Sequence, residues 1–256
     1  MDEVTARTVE RVIESMRASL GDPLNVDDMA RTAMFSKFHF SRLFQRVTGL
    51  PPGRFLSALR LQYAKQLLVT TSLNVGDISH TVGYNSIGTF SSRFSGSVGL
   101  SPSQYRRNGG YAPLVALAPH RYPALSGACV QGEIWPPYAE RVGTVFVGLF
   151  RERIPQGRPV RCQVLAEPGP YCLSHVPEGT WHLMTYSTPP DCDMRARQFG
   201  PGGQPLYVAG HYDIRITRHS TVEWADLRLK PMRIVDPPVL MALLDVRAGA
   251  LGLESA

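Results

Sequence analysis

Acidic side chains are almost absent from one long stretch of this sequence. Between Met29 and Asn108 the only acid is Asp77, against ten bases running from Arg31 to Arg107. Residues 1–108 carry 13 Lys+Arg and 8 Asp+Glu, a net of +5, and the remainder carries 14 and 13, so one segment supplies nearly all of the total of +6. A merely solubilising surface intersperses both signs, whereas a one-sided field is the electrostatic footprint of a nucleic-acid binder. Proline is scarce in the same region: of the 21 prolines only Pro23, Pro51, Pro52 and Pro102 precede residue 112. A helix-compatible first part therefore gives way to a turn-rich second part. The break falls at RRNGGYAP, residues 106–113, where Asn-Gly-Gly ends a helix and Pro113 prevents its immediate resumption.

Other absences narrow the function. No apolar run approaches the roughly 18 residues of a membrane span, and the opening MDEVTARTVE lacks the positive start and apolar stretch of a signal peptide, so a cytoplasmic protein with no membrane partner is expected. The four cysteines, Cys129, Cys162, Cys172 and Cys192, form no C-x2-C pair and are expected as free thiols. Cys172 and His175 are spaced acceptably for two metal ligands, but a strand thiol beside a surface histidine is the commoner arrangement, and no metal is assigned. There is no phosphate-binding glycine loop with its lysine, no G-x-S-x-G and no H-E-x-x-H. His120, His175, His182, His211 and His219 are scattered. No catalytic residue and no cofactor is assigned, and an enzyme is not expected.

What the sequence does contain is a duplication. LNVDDMARTAMF, from Leu24, returns at an offset of 49 as LNVGDISHTVGY, from Leu73. After Asn85 the offset becomes 50, and SKFHFSRLFQRVTGLPP is echoed by SIGTFSSRFSGSVGLSP. Two copies are too few for a solenoid, so this is a duplicated module. Each copy reads as helix, tight turn, helix. Asn25 and Asn74 are N-caps for the first helices, with Asp28 and Asp77 near the positive end of the helix dipole. Ser36 and Ser86 cap the second helices, and Gly49 and Gly99 suit their left-handed ends. Between the copies, GRFLSALRLQYAKQLLVTT follows Pro51-Pro52; a helix of about 18–20 residues is roughly 30 Å long, close to the 34–36 Å of one DNA turn.

The second helix of the first copy has two usable faces. At roughly 100° per residue Phe40, Leu43, Phe44 and Val47 form a core-facing stripe. Phe38, Ser41, Arg42 and Gln45 fall opposite, flanked by Lys37 and Arg46; a core role is the alternative for Phe38. Two short helices with bases gathered on the outward face of the second describe a helix-turn-helix that reads DNA. Ordinary helical hairpins would not gather bases there.

LRLQYAKQLL (59–68), followed by VGYNSIGTFSSRFSGSVGLSPSQYRR (82–107) with its terminal G-x-S-P-x-x-Y-R, resembles the DNA-binding domain of AraC/XylS-type transcription regulators over about residues 5–107. The resemblance implies two recognition helices in adjacent major grooves of an asymmetric promoter site in double-stranded DNA, and activation through RNA polymerase. Carried over, Phe38, Ser41, Arg42 and Gln45 would read bases, with Lys37 and Arg46 on phosphates; Arg42 suits a bidentate contact to guanine and Phe38 a thymine methyl. The second helix departs from the family pattern: Ser92 stands where an arginine is common, and the arginine is displaced to Arg93. Its DNA-binding candidates are Ser86, Ile87, Gly88, Ser91, Ser92 and Arg93, a mostly small face that suits backbone positioning and shape readout more than strong hydrogen bonding, so the first helix is expected to dominate specificity.

Beyond Leu114 helical periodicity fades. VFVGLF (145–150), PVRCQVL (159–165), PYCLSHV (170–176), WHLMTYS (181–187) and YDIRITRH (212–219) are short β-type runs separated by Pro/Gly turns. The expected architecture is thus α then β: an all-α double helix-turn-helix domain, 1–110, followed by an antiparallel β-sandwich-like domain, 111–256, that binds an effector or a partner. The segment 125–190 also resembles transthyretin-like and carboxypeptidase-regulatory sandwiches, a likeness of fold that carries no activity. Trp135, Trp181 and Tyr186 are candidates for lining a small-molecule cavity, with core packing the alternative. A monomer or homodimer is expected. Two other readings are a DNA-alkylation repair or response protein, although the Pro-Cys-His-Arg motif of the related repair methyltransferases is missing, and a carbohydrate- or peptide-binding module tethered to DNA.

Overall fold

The computed structural model describes residues 3–112, 128–137, 142–187 and 207–244. These fall into two compact units: residues up to Gly110 together with Arg233–Ala242, and the remaining described residues. The segment 233–242, which the sequence reading placed in the β-rich domain, is part of the helical unit. His120, Cys192 and Pro113 lie outside the described residues.

The helical unit contains α1 (Glu3–Ala18), α2 (Val26–Thr32), α3 (Lys37–Thr48), α4 (Pro52–Thr70), α5 (Val75–Thr81), α6 (Ile87–Val98) and α7 (Pro102–Arg107). Helices α2–α3 and α5–α6 are the two copies. Their boundaries follow from local chemistry. The Asn25 side chain accepts from the backbone N–H groups of Asp27 and Asp28, and Asp28 reaches back to the Asn25 N–H, closing a capping box. Asn74 accepts from the Asp77 N–H at 2.8 Å. Ser36 and Ser86 accept from His39 and Thr89. Gly49 and Gly99 end the second helices at φ 78° and 88°.

Two aromatic ladders repeat at the same offset of 50. Phe40, Phe44 and Phe55 pack tilted and edge-on at 5.5 and 5.4 Å between centroids; Phe90, Phe94 and Tyr105 do the same at 5.6 and 5.6 Å. All six are fully buried. The third rung in each case comes from the helix that follows the module, α4 or α7, which is how the copies are anchored. Helix α4 buries residues on nearly every side, among them Phe55, Leu56, Leu59, Leu61, Ala64 and Leu68, so the link between the copies is a core element of the unit. In α3 the buried stripe is Phe40, Leu43, Phe44 and Thr48, with Val47 only half-buried. Thr48 can enter the core because its hydroxyl donates to the Phe44 carbonyl at 2.9 Å and accepts from the Leu50 N–H at 3.2 Å.

The elements among the described residues of the second unit are all strands. A five-stranded antiparallel sheet has the order β10 (Lys230–Pro231), β7 (Tyr207–Ile216), β6 (Gly179–Ser187), β3 (Val145–Phe150), β4 (Arg161–Leu165). A second sheet has the order β5 (Pro170–Leu173), β2 (Cys129–Trp135), β8 (Val222–Trp224), with β9 (Leu227–Arg228) also pairing with β2. One core draws on both sheets, from Val130 and Tyr171 to Val147, Leu183 and Ile214, which makes this a sandwich. The expected runs at 145–150, 159–165, 170–176 and 181–187 carry strands at Val145–Phe150, Arg161–Leu165, Pro170–Leu173 and Gly179–Ser187; for the last expected run, 212–219, the strand begins earlier, at Tyr207, and ends at Ile216. Not every pairing is antiparallel. Strand β2 runs parallel to β8 and β9, and β1 (Tyr111–Ala112) runs parallel to β11 (Leu243–Leu244).

Candidate nucleic-acid interface

The outward face of α3 is open. Phe38 is 83% exposed, which excludes the core role. Arg42, Gln45 and Arg46 are exposed and Ser41 is half-buried, so the four residues that share one helical phase share one accessible surface. Lys37 flanks this face but its ammonium pairs with Asp27 at 2.8 Å, so contact with a phosphate would exchange one anion for another. Met34 was not foreseen. It occupies the turn between α2 and α3 with φ 57° and is 80% exposed, beside Phe35, whose ring packs edge-on against His39 at 4.7 Å.

The corresponding face of α6 is small. Ser86, Ile87, Gly88 and Ser92 are exposed and Ser91 is half-buried. Ile87 leans on the preceding helix, since a Cβ on Gly76 would come within 3.1 Å of its Cδ1. Ser91 offers its carbonyl to the Ser95 hydroxyl at 2.7 Å. Arg93 is also exposed but stands to one side of these residues. At roughly 100° per residue it lies about 140° around the helix from Gly88, in the repeat position of buried Leu43. It lines a cleft of about 210 Å³ with Arg60, Ser57 and Tyr84.

Only some of the ten bases between Arg31 and Arg107 are offered outward. Arg31 pairs with Asp28. Arg60 spends its guanidinium on three carbonyls, Leu20 at 2.9 Å, Gly83 at 3.2 Å and Asp22 at 2.6 Å, tying α4 to the end of α1 and to the second turn. Arg106 does the same for Leu68 and Leu73, at 2.9 and 2.6 Å. Lys65 is fully buried, donates to the Val239 and Met241 carbonyls at 2.9 and 3.3 Å, and lies 5.9 Å from the Tyr105 ring centroid. Burial pushes its ammonium down to about 7. A charge count therefore overstates the field; the exposed arginines of the recognition helices are Arg42 and Arg46 on α3 and Arg93 on α6.

Among the described residues, the sandwich does not assemble a comparable constellation. Trp181 is buried and donates its indole N–H to the Pro177 carbonyl at 2.8 Å, Tyr186 stacks on Phe146 at 5.0 Å, and Trp135 is 42% exposed, so the three candidate ligand-lining aromatics do not meet in one cavity. His182 is buried at a bulge in β6 and accepts from the Asp213 N–H through Nδ1 at 3.2 Å; burial lowers its pKa. His175, His211 and His219 are exposed and lie apart. Burial raises Cys162 to about 11, and Cys129, beside Cys172, is also raised to about 11, so neither thiol is an activated nucleophile.

Residues 29–108 match a family model described as a helix-turn-helix domain. The transcriptional activator AarP of Providencia stuartii is 32% identical over 112 residues, which is 43% of this chain and 83% of that protein. The regulatory protein SoxS of Salmonella typhimurium is 34% identical over 98 residues, 38% of this chain and 92% of that protein. For other curated relatives, such as the lactose operon transcription activator of Staphylococcus xylosus, the matched part is 38% of their length. Among solved structures, a transcriptional regulator with an AraC-type DNA-binding domain from Chromobacterium violaceum is 29% identical, with 40% of this chain and 92% of that chain covered at a TM-score of 0.39. Among the described residues, no helix is long and apolar enough to cross a membrane.

Proposed function

The chain belongs to the AraC/XylS-type transcription regulators, and on that premise we propose that it binds one asymmetric DNA site with both helix-turn-helix modules, α3 reading sequence and α6 reading shape. The observation that carries this is the unequal chemistry of two faces in one repeated skeleton. Arg42 offers a planar guanidinium able to pair with guanine O6 and N7, Gln45 an amide suited to adenine, and Phe38 an apolar ring suited to a thymine methyl. Gly88, Ser91 and Ser92 offer only short groups, which favour close approach of the backbone to the duplex and contacts to phosphate.

In this reading the protein acts in the cytoplasm, by binding rather than by catalysis, and activates transcription by contacting RNA polymerase. The sandwich serves as the sensor or interaction domain for a small-molecule effector or a partner. AarP is described as an activator, which supports that sign of regulation.

Selection of bound sequences from random DNA with the full chain tests the proposal. The expected result is two blocks about one helical turn apart, some 10–10.5 base pairs, with strong base preference in the first block and weak preference in the second. A single block, or two equally informative ones, contradicts it.

A further inference from the structure

The ten residues Arg233–Ala242 (RIVDPPVLMA) follow β10 and precede β11, yet they are packed into the helical unit. Val235, Val239, Leu240, Met241 and Ala242 are all buried there. Two sets of polar attachments are specific. The Ala242 N–H donates to the Val98 carbonyl at 2.9 Å, at the last residue of α6, whose C-cap Gly99 leaves that carbonyl without a helical donor. The Lys65 ammonium, on the second half of α4, donates to the Val239 and Met241 carbonyls and faces the Tyr105 ring of α7. Of these anchors Val98 lies in the second module itself, Tyr105 in α7, which follows that module, and Lys65 in the half of α4 that leads into it; neither α2 nor α3 receives any of these polar ties.

This placement matters because of what the second reading helix lacks. A long arginine can reach across a misplacement of an ångström or two. A face made of Gly88, Ser91 and Ser92 cannot, so it contributes only if its backbone is held at the groove. We propose that residues 233–242 form a strap, with Lys65 as its positioning residue, that holds α6 in the DNA-reading geometry, so that the β-rich domain's own chain completes the second half of the DNA-binding domain. The inference rests on the two-groove reading above and adds that this half is not autonomous. It also identifies the element through which an event in the β-rich domain would reach DNA: release of the strap would cancel the second groove and leave the first.

Docking of the strap carries a proton linkage. Burying Lys65 lowers its proton affinity from the ordinary lysine value to about 7, so the docked state holds fewer protons than the undocked one across that interval. Docking therefore strengthens as pH rises above 7. The charged groups on the strap itself, Arg233 and Asp236, pair with each other at 2.9 Å, and the group facing Lys65 from α7 is the Tyr105 ring.

The test compares the full-length protein with its Leu240→Asp and Lys65→Met variants on two duplexes, one carrying both selected blocks and one carrying the first block alone. Leu240→Asp, which places a carboxylate in the strap's buried face, is expected to lose about tenfold on the two-block duplex, with hydroxyl-radical protection shrinking to the first block, and to match wild type on the first block alone. Wild-type affinity for the two-block duplex rises between pH 7 and pH 9 at fixed salt; in Lys65→Met that rise is absent. Equal losses on both duplexes, or wild-type footprints and pH profiles in both variants, overturn the strap. A wild-type protein that protects only one groove overturns the two-groove reading itself.

Discussion

At the turn of the first module stands Met34 and at the same place in the second stands Gly83, and both are left-handed, at φ 57° and 82°. The copies agree where the skeleton demands it: asparagine and serine caps, glycine at the end of the reading helix, and a ladder of three aromatics. They diverge on the outward face, where Phe38, Arg42, Gln45 and Arg46 in α3 stand against Gly88, Ser92, Ser95 and Gly96 in α6. Duplication has kept the fold and redistributed the chemistry. The buried half of each repeat is constrained by packing, since each ladder ring is closed in on all sides, whereas the exposed half answers only to its ligand.

If the skeletons are equivalent, truncating matching rungs should cost the same. Phe44→Ala and Phe94→Ala are each expected to destabilise by about 3–5 kcal/mol, measured by urea denaturation of the full chain. A difference larger than about 2 kcal/mol would mean that the two ladders are not equivalent in packing.

The outward faces should differ sharply. Arg42→Ala is expected to lose about 1–3 kcal/mol of discrimination at one base position, read as the ratio of affinities for the selected site and its single-base variants, while Ser92→Ala should change that ratio by less than about 0.5 kcal/mol. Equal loss on random DNA would reassign Arg42 to phosphate binding.

The turns offer a third contrast. A Cβ on Gly83 would lie 2.7 Å from the Leu20 carbonyl oxygen and 2.8 Å from the Arg60 guanidinium, in a conformation that L-residues avoid. Gly83→Ala should therefore cost about 1–2 kcal/mol in thermal unfolding, and Met34→Gly should be neutral or gain up to about 1 kcal/mol by removing the same backbone strain. The smallest effects belong to the caps. Ser36→Ala and Ser86→Ala should each cost about 0.5–1 kcal/mol, toward the lower end because both accept at 3.4 Å.

The parts legible in the sequence were those written in local chemistry. Caps, helix ends, the repeat offset and the two faces of α3 all depend on residues within a few positions of one another, and the structure has them where the pattern put them. Thr48 replaced Val47 in the buried stripe because a hydroxyl that bonds its own helix is as buriable as a methyl. Arg93 is exposed, and its helical phase, about 140° from Gly88, sets it beside the cleft that Arg60 also lines. The strap was not legible. RIVDPPVLMA looks like one more proline-rich turn of the β-rich region, and its contact with Lys65 spans 174 residues to Val239, beyond the reach of any periodicity. Nor could a charge count show that Arg60, Lys65 and Arg106 are spent on carbonyls inside the unit. The parallel pairing of β2 with β8 and β9 was hidden for the same reason, since strand direction is set by connections rather than by the alternation within a strand.

Hydroxyl-radical footprinting of the full-length protein on its selected duplex tests the central claim most directly. Two protected stretches on one side of the helix, about one turn apart, with Arg42→Ala disturbing base preference only in the first, are the predicted result. Protection confined to one stretch, or an Arg42→Ala effect spread evenly over both, would contradict it.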